Sequence, residues 1–277
     1  MRENVSIIIP TYKEPDYLKI CLDSILNIDP KYFGNVEIVV VVDGTQEINR
    51  HVENDFKSKC PVTFKWINLP TNTGLAHATN VGVMYSKFEY ILIVNDDNVF
   101  EPHWYEKMEP LNKVTCFAQI EPGRQVDVDR KFLQRDFGTG ASSFDKLKFN
   151  DFCRKYHLLP NTDTRHLAHH LPCLMSKQLF LQVGGWDPAY GSPHVCDIDF
   201  FKKIALCHNT NPFISTRSCL FYHFGGKATK NVDDAATAQV ANFHEKERRA
   251  WDMYILRWKS FPIQYDNVFF NDRDTKK

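Results

Sequence analysis

The residues with the clearest chemical potential are Asn95-Asp96-Asp97-Asn98, which follow directly on the apolar run Tyr90-Ile-Leu-Ile-Val94. A run of that kind reads as a strand buried on both faces. Two adjacent carboxylates then stand at its C-terminal end, where open α/β sheets bind ligands. Neighbouring carboxylates repel, and the repulsion costs least when a divalent cation lies between them and a polyanionic ligand. The chemistry suggested is a metal–phosphate site. Asp and Asn also favour turns and helix N-caps, so the tetrapeptide alone fits a plain turn equally well.

Similar chemistry recurs at other predicted strand ends. Val36-Glu-Ile-Val-Val-Val-Val42 ends in Asp43-Gly44, and Val5-Ser-Ile-Ile-Ile9 ends in Pro10-Thr-Tyr-Lys-Glu14. Thr11, Glu14, Asp43, Asp96 and Asp97 are thus delivered to one sheet edge. A carboxylate at position 43 could accept hydrogen bonds from a base N–H or a ribose hydroxyl, and Asp43-Gly44 is equally a turn pair. Asn72-Thr-Gly-Leu-Ala-His-Ala-Thr-Asn80 opens a helix whose free N–H groups and small residues could lie against a nucleotide. It is not a Walker A loop, and no G-x-G-x-x-G opens an early helix.

The elements that must position these groups alternate. After the first strand, Leu18, Cys21, Leu22, Ile25 and Leu26 recur at helical spacing. A weakly helical stretch spans Gln46 to Lys59, a third strand Val62 to Asn68, and a helix Gly74 to Tyr85. Strand–helix alternation predicts an α/β fold with a mostly parallel sheet and right-handed crossovers. Beyond Asp97 the reading gives a short helix over Pro102 to Asn112 and a strand over Val114 to Ile120. Residues 121–170 read as a long irregular segment containing Gly138-Thr-Gly140, of the kind that often carries function. A strand follows from Leu171 to Ser176, a helix from Asp197 to Leu206, and a last core strand within Pro212 to Tyr222. Trp251, Tyr254, Ile255 and Trp258 mark a C-terminal amphipathic helix that packs back on the domain. Residues 271–277 read as a frayed end.

The chain has 277 residues, 43% of them hydrophobic, enough for one large domain with a small extension. Its 34 Lys+Arg balance 34 Asp+Glu, so no global basic field recruits nucleic acid. The eight cysteines show no C-x-x-C pair and no zinc spacing, which fits reduced thiols in a cytoplasmic protein. The chain enters a strand within five residues, an expectation against a signal peptide. No apolar run approaches the roughly 18–20 residues needed to span a bilayer, so any membrane contact would be peripheral.

The ordered set of motifs resembles family 2 glycosyltransferases of the GT-A fold. The matching elements are Ile7-Ile-Ile-Pro-Thr-Tyr-Lys-Glu14, Val41-Val-Asp-Gly-Thr45, Asn72-Thr-Gly74 with Asn80-Val-Gly82, Asn95-Asp-Asp97, Gly184-Gly-Trp-Asp187, Asp197-Ile-Asp199 and His223-Phe-Gly-Gly226. The resemblance implies a Rossmann-like central sheet flanked by helices, with a GT-A domain over 1–230 and a helical extension over 231–277. Residues 1–100 would bind the nucleotide-sugar and 101–230 the acceptor.

The resemblance further implies an inverting transfer from a nucleotide-diphospho-sugar (UDP, dTDP or GDP type) to a hydroxyl of a glycan or glycolipid. Asp43 would recognise the base, with Thr11 and Glu14 nearby, and Asn72, Gly74 and Asn80 would line the nucleotide. Asp97 would hold Mn²⁺ or Mg²⁺ together with His223, with Asp96 near the ribose or diphosphate and Lys227 on a phosphate. Asp197 would be the catalytic base. Trp186, Asp187 and Asp199 would face the acceptor, with Trp104, Gln119 and Arg124 as further acceptor candidates, and core packing fits both tryptophans at least as well. Asp197 as an N-cap and Asp199 as a first-turn acid are the structural alternatives. The chain departs from the family at Asn95, where an acid is usual, at Thr79, where Arg is common, and at Cys196, where Glu is common.

His166, His169 and His170 cluster near Arg165 without further ligands at zinc spacing, which favours an acceptor loop or packing over a metal. A sugar-nucleotide nucleotidyltransferase would place a Gly-rich basic loop after the first strand, and Pro10-Thr-Tyr-Lys-Glu14 is not one. A non-catalytic sugar-nucleotide binder is the third reading, opposed by the joint presence of Asp97, Asp197 and His223.

Overall fold

The computed structural model describes residues 3–44, 46–108, 113–122, 132–158, 170–191, 193–208, 212–225 and 238–259. Among them β1 (Val5–Thr11), β2 (Val36–Asp43), β3 (Thr63–Leu69) and β4 (Tyr90–Ile93) form a parallel block. Every residue of β1 and β2 is buried, which is why both strands read as apolar runs broken only by Ser6 and Glu37 before their polar ends. Alternate residues serve opposite faces. Ile7, Ile9, Ile38 and Val40 pack with α1 (Pro15–Ile25) and α2 (Gln46–Lys59). Ile8, Val39 and Val41 pack with α3 (Leu75–Tyr85). Gly82 lets α3 lie close on the sheet, since a Cβ there would sit 2.5 Å from Ile8 Cγ2.

The strand order is β3-β2-β1-β4-β8-β6-β9-β5, with β7 (Phe132–Gln134) beside β6. The chain therefore runs outward through β2 and β3, then returns over the other face to place β4 on the far side of β1. That reversal creates a switch point between the C-terminal ends of β1 and β4. β8 (Cys173–Ser176) runs antiparallel to β4, and β6 (Val114–Glu121) runs parallel to β9 (Phe213–His223). A short β5 (Asn98–Phe100) pairs antiparallel with β9 and sets Asn98 opposite His223.

The structure changes three local expectations. The helix read over Pro102 to Asn112 is a single turn, α4 (Trp104–Lys107), within the described part of that stretch. The segment read as irregular contains α5 (Lys146–Tyr156), started by Asp145, whose side chain accepts from the Lys148 N–H at 3.0 Å. Phe149, Phe152, Cys153 and Tyr156 give α5 its i, i+3, i+4, i+7 stripe and join the cluster around Tyr222 and Phe224. After α6 (Lys177–Gln182), α7 spans Pro193–Leu206 and begins four residues earlier than the periodicity suggested. Asp197 and Asp199 are therefore interior helical residues, and neither the N-cap nor the first-turn alternative holds. The C-terminal helix α8 (Ala238–Trp258) buries Ala250 and Tyr254 in the same core as Phe200, Phe201 and Ile204 of α7.

Candidate active site

The switch point brings the first group of predicted residues together. Thr11 Oγ1 at the end of β1 donates to Asp96 Oδ2 at 2.6 Å, bridging the two strand ends. Asn95 to Asn98 form a tight turn, with the Asn95 N–H donating to Asn98 Oδ1 at 3.0 Å. The tetrapeptide is thus both a turn and an acidic cluster, because the turn holds Asp96 and Asp97 side by side and buried. Asp97 Oδ1 lies 3.2 Å from His223 Nε2, and His223 Nδ1 lies 2.6 Å from Glu121 Oε1 at the end of β6.

The electrostatics follow from this crowding. Burial, reinforced by the Asp97 charge, pushes the Asp96 carboxyl up to about 7 against the Thr11 hydrogen bond. Burial works against a charged His223, but Asp97 and Glu121 outweigh it and raise the imidazole to about 10. Glu14 stands close enough for its charge to help raise both Asp96 and Tyr17. Burial is the leading cause for Tyr17, which meets Phe224 edge-on at 5.0 Å and accepts a hydrogen bond from the Ala141 backbone. Tyr222 ties down the adjacent turn, its hydroxyl donating to Gly138 O at 2.7 Å.

Asp97 and His223 suit a divalent cation of the Mn²⁺ or Mg²⁺ kind. The carboxylate on His223 Nδ1 is the kind of outer-sphere partner that would fix a ligating imidazole with Nε2 facing a metal, once the cation displaces the Nε2 proton. Among the described residues, no cluster of three or more His, Cys, Asp or Glu side chains forms a ready-made cage. Two protein donors leave room for diphosphate oxygens and water, the usual arrangement for such ions.

Asp43 is tied to the loop that leads into α3. Its Oδ1 accepts from the Thr73 N–H at 2.7 Å and the Thr73 hydroxyl at 2.9 Å, and its Oδ2 accepts from the Gly74 N–H at 2.8 Å. Both oxygens hold the entry to α3 on the end of β2. Gly44, at φ +79°, admits that loop, because a Cβ there would sit 2.4 Å from the Asn72 nitrogen. Asn72 is exposed at the start of the loop, and Gly74 takes φ +90°.

Contacts within the protein engage several of the other predicted site residues. Asn80 Nδ2 donates to Trp186 O at 2.7 Å, and the Trp186 N–H donates to Asn80 Oδ1 at 2.9 Å. Asn80 is thus a backbone clamp on the Gly184-Gly185-Trp186 turn. Trp186 is 1% exposed and packs against Phe200, so its ring offers no face to an acceptor. Asp187 caps the turn at Ala189 and pairs with Arg257 at 2.6 Å. Asp199 is fully buried and bound by Tyr190, Trp258 and Arg257. Trp104 is likewise a packing residue, its Nε1–H donating to Ile25 O at 2.9 Å. Gln119 is buried within β6, and His170 Nδ1 lies 3.0 Å from Leu171 O. Lys227, Arg124, Arg165, His166 and His169 lie outside the described residues.

Asp197 lies on α7, and its carboxyl is pushed up to about 8, first by burial. The Ile198 N–H opposes the shift and the charge of Glu247 on α8 adds to it. Sequence reasoning missed Glu121, Tyr17 and Glu247. Glu121 could have been found, since it closes an apolar strand run as Asp43 does. Nothing in the sequence joins Glu247 to Asp197 across fifty residues.

The family described as Glycosyl transferase family 2 matches residues 6–160. An uncharacterized glycosyltransferase of Rickettsia typhi is 31% identical over 255 residues, covering 91% of this chain and 72% of that protein. The poly-beta-1,6-N-acetyl-D-glucosamine synthase of Staphylococcus epidermidis is 27% identical over 99 residues, 36% of this chain and 23% of the synthase. The chain thus spans most of the first relative and under a quarter of the second. Among solved structures, S. aureus TarS 1–349 in complex with UDP-GlcNAc has a TM-score of 0.57 at 15% identity, covering 91% of this chain and 66% of that one. The mannosyltransferase PcManGT of Pyrobaculum calidifontis, in complex with GDP-Man and Mn²⁺, has a TM-score of 0.56 at 16% identity, with coverages of 95% and 77%. These likenesses carry the fold. No described helix is long and apolar enough to cross a membrane.

Proposed function

The chain belongs to glycosyl transferase family 2 and is a glycosyltransferase, and from that premise we propose an inverting, metal-dependent transfer from a nucleotide-diphospho-sugar to an acceptor hydroxyl. The observation that carries this reading is the chain of contacts Thr11–Asp96, Asp97–His223–Glu121 at the switch point of the sheet. Complexes of TarS with UDP-GlcNAc and of PcManGT with GDP-Man and Mn²⁺ support a nucleotide-sugar donor and a divalent cation here. The acceptor belongs to the glycan or glycolipid class.

In the proposed mechanism Asp97 and His223 hold the cation, which when bound neutralises the departing diphosphate. Glu121 keeps His223 in the ligating orientation. Thr11 and Asp96 hold the ends of β1 and β4 at a fixed separation around the donor. Asp43 fixes the loop that enters α3, shaping the wall beside the nucleotide.

Asp197 takes the proton of the acceptor hydroxyl as its oxygen bonds to the anomeric carbon. The bond from that carbon to the diphosphate oxygen breaks on the opposite face, and the diphosphate leaves with the bonding pair. Ordinary carboxylates are weak bases for this task; burial of Asp197 raises its basicity. Lys227 is a further proposed phosphate contact.

A thermal-shift panel of UDP, dTDP and GDP and their sugars, with and without Mn²⁺, tests the reading. Stabilisation by one base series that depends on Mn²⁺ supports it. No stabilisation by any member, with no diphosphate released from any sugar donor, overturns it.

A further inference from the structure

We propose that Asp199, gripped by Arg257 and Trp258 of the C-terminal helix, is a positioning residue for the base on α7. The inference rests on the reading of Asp197 as base. Asp197 and Asp199 are two residues apart on one helix and so point about 200° apart around its axis. Whatever grips Asp199 therefore fixes the roll of α7 and the direction in which Asp197 is aimed.

The grip comes from several elements at once. Tyr190 donates its hydroxyl to Asp199 Oδ1 at 2.8 Å, and the Trp258 Nε1–H donates to the same oxygen at 2.9 Å. Arg257 spans both acids of the region, with Nη1 3.2 Å from Asp199 Oδ1 and Nη2 2.6 Å from Asp187 Oδ2. Its guanidinium also stacks over the Tyr190 ring at 5.1 Å. Lys203, one turn along α7, lies 3.3 Å from Asp199 Oδ2 and donates to Gly185 O at 2.6 Å. A buried carboxylate held by charged and neutral donors in fixed directions is a rigid joint, because each bond is strong in a dry setting and costly to leave unmade.

The joint connects to the donor side by an unbroken series of contacts. Asp43 holds the start of α3, Asn80 on α3 holds the backbone of Trp186, and the turn that follows is tied through Asp187 and Tyr190 to Arg257 and Asp199. A glycine at 185 is needed at the crossing, since at φ +64° a Cβ would sit 2.6 Å from Asn80 Oδ1. The same C-terminal helix carries Glu247 beside Asp197. The helix after residue 237 is therefore part of the reaction's framework.

The test is release of nucleoside diphosphate from UDP- and GDP-sugars in Mn²⁺ by the full chain, with water as acceptor. Arg257→Gln, Arg257→Lys and Trp258→Phe are compared with Lys65→Met, which breaks the remote Lys65–Glu37 pair at the other end of the sheet. We expect Arg257→Gln and Trp258→Phe to lower kcat about tenfold with donor KM within twofold, and Arg257→Lys to restore most of the loss. Lys65→Met lowers the melting temperature while keeping kcat. If the Arg257 and Trp258 variants keep kcat per folded molecule, as Lys65→Met does, the positioning role is wrong. A folded wild type that releases diphosphate from no donor overturns the underlying reading, and the positioning role with it.

Discussion

Two regions of this molecule concentrate acidic side chains, and they treat them in opposite ways. At the strand ends Glu14, Asp96 and Asp97 gather together, Asp97 and Glu121 flank His223, and burial with the Asp97 charge raises Asp96 to about 7. Around α7 and α8, Asp187 and Asp199 each meet a donor of opposite charge, and Arg257 serves both. The first arrangement leaves negative charge concentrated at a sheet edge, where a cation and a diphosphate would relieve it. The second is closed upon itself and joins three segments of chain. Acids gathered against acids mark the site, and acids matched to bases mark the frame. Asp197 belongs to the second region by position and to the first by character, since burial of its carboxyl and then the charge of Glu247 push it up.

The comparison breaks most visibly at Asp197. Asp197→Asn keeps the shape and removes the base, so turnover should fall about 10²–10⁴-fold with donor KM within twofold, measured as steady-state diphosphate release. Retained turnover would return Asp197 to the frame. The next largest effect lies on the site side. Glu121→Gln weakens the support of His223 and should cost about 10–100-fold in Mn²⁺ affinity, read by titrating Mn²⁺ against activity.

On the frame side, Asn80→Ala strands the Trp186 N–H and carbonyl and should cost about 1–3 kcal/mol in denaturant unfolding, with donor affinity altered little. A large loss of donor binding at unchanged stability would move Asn80 into the site. The smallest effect is the most diagnostic of how the regions meet. A base whose carboxyl is raised to about 8 must lose its proton, so kcat/KM should climb about tenfold per pH unit below that value and level off above it. Glu247 raises the Asp197 carboxyl through its charge, so Glu247→Gln should shift that climb to lower pH.

Much of the sheet was legible because most of its strands carry a local signal, whereas the three-residue β5 and β7 do not. Val5–Thr11 and Val36–Asp43 are buried throughout and mostly apolar, and their polar ends fall on one edge by topology alone. Asp96, Asp97 and His223 could be gathered from strand ends in the same way. The acids and aromatic of the Gly-Gly-Trp-Asp turn could not be sorted, because a side chain that binds an acceptor and one that binds Arg257 look alike until Arg257 arrives from seventy residues away. Asn80 failed for the same reason: its partner is the backbone of Trp186, which no sequence pattern displays. Helix α5 was missed because its apolar stripe is mostly aromatic and lies within a charged stretch.

If the strand-end acids hold the donor while α7 supplies the base, binding and turnover separate between Asp97 and Asp197. Calorimetric titration of UDP and GDP with Mn²⁺ into Asp97→Asn and Asp197→Asn reads that separation. Asp197→Asn should bind one nucleotide with wild-type affinity, and Asp97→Asn should lose the Mn²⁺-dependent part of binding. Equal binding by both variants, or loss in Asp197→Asn alone, would rule the division of labour out.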